Sequence, residues 1–129
     1  MSADRRKLAG LRHIAQLRAD TEMQRLALVR GQLDAATARV AGIRDALQDL
    51  YQNDAPFSVE QSRIANALAG SHARALLQAE AEVKKIASSH EVATNLALRE
   101  FGRSQALRQL QDNLTRQSAK HSRRSEDLT

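Results

Sequence analysis

One heptad pattern limits what this chain can fold into more than any other feature. Leu26, Val29, Leu33, Ala36, Val40, Ile43, Leu47 and Leu50 follow strict 3–4 spacing. That spacing draws a narrow apolar seam along one face of an α-helix, the signature of a coiled coil. Upstream the seam reads through Leu8, Leu11, Ala15 and Ala19 to Glu22. The 11–15–19 spacing ahead of 22–26 looks like a stutter, which relaxes a supercoil locally.

Composition points the same way. Aromatic residues make up 2% of the 129 residues, with no Trp, too few to fill the centre of a compact globule at close packing. The apolar 42% is mostly Ala, Leu and Val, and one Pro and five Gly interrupt the whole length. Ala, Leu, Arg, Gln and Glu all favour helix. The chain has no Cys, which excludes disulfides and thiolate zinc sites and is compatible with a reducing, cytoplasmic setting. Met1 to Ala19 carries arginines without a continuous apolar stretch and makes a poor secretory signal; Asp4 and Asp20 argue against a transit peptide. No run of about 18 apolar residues is present to span a membrane.

The seam breaks at Tyr51-Gln52-Asn53-Asp54-Ala55-Pro56-Phe57. Asn and Asp favour turns, and Pro56 removes a backbone donor and pushes Ala55 out of helical geometry. Ser58-Val59-Glu60-Gln61 is a Ser-x-x-Gln capping box that opens a second helix. Its seam reads Ile64, Leu68, Ala75 or Leu76, Ala79, Val83, Ile86, His90, Ala93 and Ala97, followed by a stripe of Phe101, Leu107, Leu110 and Leu114. After Gln117 periodicity is lost. The expected fold is all-α: a single domain with a helix over 3–51, a turn over 52–57, a helix over 58–117 and a frayed tail over 118–129.

A short turn makes the helices antiparallel neighbours, an antiparallel coiled-coil hairpin whose second helix is the longer. With the turn centred near residue 54, Leu50 faces Ser58, Val29 faces Ala79 and Leu8 faces Glu100. At 1.5 Å per residue the helices run about 70 and about 90 Å. Leu107, Leu110 and Leu114 then outrun the first helix and lie bare, as a binding face or as a self-association seam. Gly31, Gly42, Gly70 and Gly102 are soft points, each costing roughly 1 kcal/mol against Ala.

No catalytic constellation emerges, and no cofactor is implied. A Gly-x-x-x-x-Gly-Lys loop is missing. The histidines at 13, 72, 90 and 121 lack the i, i+4 pairing of zinc proteases. Glu80 and Glu82 diverge on a helix and make no acid–base dyad. His90 and Glu22 read as polar seam residues that fix register, with a ligand or sensor role for His90 and a partner-binding charge for Glu22 as the alternatives. Asn113-Leu114-Thr115 matches a glycosylation sequon that carries no meaning in the cytosol.

Charge is polarised within a net +5. Arg5, Arg6, Lys7, Arg12 and Arg18 oppose only Asp4 at the start, and Arg103, Arg108, Arg116, Lys120, Arg123 and Arg124 oppose only Asp112 near the end. These basic ends read as a solvated helical face, as a guide for an acidic protein partner, or as a nucleic-acid or anionic-membrane contact. The last is disfavoured because interleaved aromatics for base stacking are missing. The candidate partner-binding residues are Arg5, Arg6, Lys7, Arg12, Phe101, Arg103, Leu107, Arg108, Leu110, Leu114 and Arg116.

Leu8-Ala9-Gly10-Leu11-Arg12, with Leu17-Arg18 soon after, resembles the start of the flagellar export stalk family FliJ and its virulence-system relative YscO. The heptad helix closing at Leu50-Tyr51, the short turn and the longer second helix extend the likeness over nearly the whole chain. The resemblance implies a non-enzymatic, cytoplasmic component of a bacterial type III export machine, peripheral at its membrane. Such a stalk sits in the channel of a hexameric export ATPase and touches the export gate and escort chaperones. It would be a monomer with its basic free end in the ring. The alternatives are a homo-oligomeric coiled-coil scaffold, in which two hairpins pair, and a nucleic-acid-binding accessory protein.

Overall fold

The computed structural model describes residues 2–52 and 58–128. Two helices account for all of them but Ser58 and Leu128: α1 (Ser2–Gln52) and α2 (Val59–Asp127), of 51 and 69 residues. They pack against each other as a helical hairpin with the second helix the longer. The turn expected over 52–57 lies, apart from the helical Gln52, outside the described residues.

The start of α2 forms as its four-residue code dictates. The Ser58 Oγ accepts from the Gln61 backbone N–H, and the Gln61 side-chain oxygen accepts from the Ser58 N–H, both at 3.2 Å. Two otherwise orphaned donors of the first turn are thereby satisfied reciprocally. The other end departs from expectation. α2 does not fray after Gln117 but continues to Asp127. Ser, Lys and Arg dominate that stretch, and with no Gly or Pro in it nothing breaks the helix.

The chain divides into two compact units. The free-ended unit contains residues 1–26 and 93–129, and the turn-side unit contains residues 27–92. In the free-ended unit Arg12 donates to the Gln111 side-chain oxygen, and the Ser104 hydroxyl donates to the Gln16 side-chain oxygen at 3.1 Å. In the turn-side unit Arg44 pairs with Glu80 at 3.0 Å. In each unit, residue i of α1 faces roughly residue 122 − i of α2. The register expected from a tight turn at residue 54 is therefore displaced by about two heptads. Long polar side chains blur each pairing by a residue or two, far less than that displacement.

The burial pattern corrects both seams. In α1 the inward positions are Leu8, Arg12, Ala15, Ala19, Glu22 and Leu26, and on through the expected residues to Leu50, with the 3–4 count unbroken. No stutter exists. Leu11, taken as a seam residue, is 54% exposed, and Arg12 takes its place by laying its stem inward and bonding its head to Gln111. In α2 the less exposed positions run Ser62, Ala65, Ala69, His72, Leu76, Ala79, Val83, Ile86, His90, Ala93, Ala97, Glu100, Ser104, Leu107 and Gln111, again at 3–4 spacing, and α1, which ends at Gln52, faces those from about Ala69 onward. Ile64, at 68% exposed, and Leu68, at 44%, are therefore off the seam. Heptad phase, set by the strong Leu76–Ile86 stretch, overrules the hydrophobicity of single residues.

Candidate partner-binding surface

Strong side chains line the turn-side seam, with Leu33, Val40, Ile43, Val83 and Ile86 facing inward. The free-ended seam is built differently. Its most buried residues are small: Ala19 and Ala97 are each 2% exposed, and Ala15, Ala93 and Ser104 are also buried. Small residues let two helices approach closely but remove little apolar area from water. Leu8, Leu26 and Leu107 share the remaining seam positions with the polar residues Arg12, Glu22, Glu100 and Gln111. Ser104 gives its proton to Gln16, whose amide donates to Asp20 at 3.0 Å, so the buried hydroxyl is satisfied. Glu22 and Glu100, inward on their two helices, are paired with Arg25 and Arg103 one turn on, at 2.9 and 3.1 Å.

The register relocates the candidate site. Leu107 and Leu114 do not outrun α1. Leu107 lines an open groove of about 350 Å³ with Leu11, Ile14 and Ala15, and Leu114 lies in a second hollow with Asp4 and Arg5. Leu110 stays half exposed. Arg12 is tied into the seam, while Arg103 is held by Glu100. Arg5, Arg6, Lys7, Arg108 and Arg116 are exposed. Phe101, half exposed, follows the seam residue Glu100 and so flanks the seam on the side away from the groove.

Sequence reasoning did not single out Ile14, placed Leu11 on the seam, and counted Arg18 in the basic end without naming it among the candidate binding residues. Leu11 precedes the seam residue Arg12, Arg18 precedes Ala19, Arg103 precedes Ser104 and Leu110 precedes Gln111. In an antiparallel helix pair these preceding positions meet along one side. A third hollow, lined by Ile14, Leu17, Arg18, Thr21, Glu22, Arg25 and Glu100, shares Ile14, Arg18 and Glu100 with the groove and extends it. This side of the unit thus has an apolar floor and a rim of three arginines, Arg18, Arg25 and Arg103, against two glutamates, Glu22 and Glu100.

Charge follows the division into units. The free-ended unit has thirteen Lys and Arg against seven Asp and Glu, whereas the turn-side unit has seven against eight. Among the described residues no group of three or more His, Asp or Glu is placed to hold a metal ion. None of the helix segments described is long and apolar enough to cross a membrane. Comparison with protein-family models, with curated proteins and with solved structures returned no match for this chain.

Proposed function

We propose that the chain is a non-catalytic stalk subunit of a bacterial type III export apparatus, flagellar or virulence-associated, that engages a hexameric export ATPase with its free-ended unit. The observation that carries this reading is the coincidence of charge with structure. The excess of positive charge belongs to the unit holding both chain ends, and α2 continues as helix through Arg116, Lys120, Arg123 and Arg124. A rigid helical end with exposed cations suits insertion into a ring lined by acidic groups, where long-range attraction speeds and orients docking. On this reading the protein works at the cytoplasmic side of the export gate.

The test is co-sedimentation with the assembled export ATPase, comparing the native chain with Arg5→Glu/Arg6→Glu/Arg116→Glu. These side chains are exposed, so the variant keeps its fold. Binding by the native chain with at least tenfold weakening in the variant supports the stalk; equal binding by both, or none by either, removes it. A second reading, a self-associating scaffold, is favoured by the exposed Val59, Ile64 and Leu68 at the start of α2. Light scattering that shows a dimer, lost on Ile64→Ser/Leu68→Ser, would select it.

A further inference from the structure

We infer that the groove along one side of the free-ended unit is a docking site for an amphipathic α-helix of a partner protein, with an apolar stripe flanked by Asp and Glu. The floor is set by Leu11, Ile14 and Leu107, and the rim by Arg18 and Arg103, with Glu100, paired to Arg103, also in the lining. Leu11 and Ile14 are about half exposed, an apolar surface left in water beside a seam that buries mainly Ala. The groove and its extension follow α1 from Leu11 to Arg25, roughly 21 Å at the helical rise, which matches about four turns of a third helix. Laid there, that helix would turn a two-helix layer into a three-helix one, the usual way a groove between helices is filled.

Charge selects the occupant. Arg18 makes no ion pair among the described residues, so an acidic side chain at the rim gains an unclaimed cation. Arg25 and Arg103 reach their inward glutamates in i, i+3 pairs from the solvent side, so their guanidinium groups stay exposed and keep donors over for a partner. A second copy of this chain fits poorly, because a two-fold contact through this side sets one basic rim against the other. A lipid surface fits poorly too, since the apolar residues line a concavity between helices rather than a ridge able to enter a bilayer. For nucleic acid the side lacks aromatic platforms. The inference concerns the flank of the unit and stands apart from ring engagement by its tip.

The experiment uses the full chain and three probes. These are an 18-residue helical peptide with a Leu/Ile stripe flanked by Glu, the same peptide flanked by Lys, and vesicles of anionic lipid. The expected result is binding of the Glu-flanked peptide at least tenfold tighter than the Lys-flanked one. Leu11→Ser/Ile14→Ser should weaken it at least tenfold, and Arg18→Glu should reverse the preference between peptides. Leu98→Ser, on an exposed position of the other side, leaves binding unchanged. Equal binding of both peptides, indifference to the groove substitutions, or binding to vesicles in preference to peptide would each overturn the assignment.

Discussion

The two units solve the same packing problem with different chemistry. The turn-side unit aligns Leu, Val and Ile along its seam, interspersed with Ala36, Ala79, His72 and His90, and keeps its bonded charges, Arg44 and Glu80, at the margin. The free-ended unit buries four alanines, a serine and Leu8, and brings Arg12, Glu22, Glu100 and Gln111 onto the seam itself. Aliphatic area supplies stability without specifying alignment closely, whereas hydrogen-bonded polar layers fix alignment at a cost in stability. The comparison teaches a difference in means: the turn-side unit relies on larger aliphatic side chains, and the free-ended unit packs small residues closely, brings charged groups onto its seam and presents the grooved surface.

The most damaging way to blur this difference is to put a charge in the aliphatic seam. Val40 is buried, so Val40→Asp should cost about 3 kcal/mol or more, read as a large fall in thermal midpoint. Loss of less than about 1 kcal/mol would mean the two seams are not distinct. The converse change removes charge where the chain tolerates it. Glu22→Leu/Glu100→Leu should stabilise the protein by about 1–4 kcal/mol, with a reduced denaturant midpoint as the contrary result.

Volume separates the units at a smaller scale. Ala19→Leu overfills a position with almost no exposed surface and should cost about 1–3 kcal/mol. Ala36 borders an open groove of about 400 Å³ with Ala79, so Ala36→Leu should gain about 1 kcal/mol. Equal signs for the two substitutions, measured by urea unfolding, would contradict the packing described. The smallest effect concerns the backbone. A Cβ added at Gly31 meets nothing within 4 Å, so Gly31→Ala should raise stability by about 0.5–1 kcal/mol; destabilisation would reveal a need for the bare backbone there.

Much of the architecture was legible because local codes and heptad phase both act over short range. Ser58 and Gln61 form the box their spacing announces, and the seam from Leu26 to Leu50 is where its Leu, Val and Ile put it. Alignment between the helices was not legible. It depends on how the chain travels from Gln52 to Ser58 and on polar pairs such as Arg12 with Gln111, neither of which hydrophobicity records. The same blindness put Leu11 on the seam in place of Arg12, and Ile64 in place of Ser62 and Ala65. Carrying the 3–4 count outward from Leu76–Ile86, whatever residue it met, would have found Glu100, Ser104 and Leu107, and with them the side on which the groove lies.

Because the chain has no cysteine, introduced thiols report alignment without interference. Two double variants decide it: Arg12→Cys with Gln111→Cys, and Arg12→Cys with Leu96→Cys, the partner that a tight turn at residue 54 would give. Under mild oxidation the 12–111 pair should form an intramolecular disulfide rapidly and in high yield, and the 12–96 pair should not. Rapid closure of 12–96, or disulfides of 12–111 only between molecules, would contradict the register on which the groove, its basic rim and the proposed partner all rest.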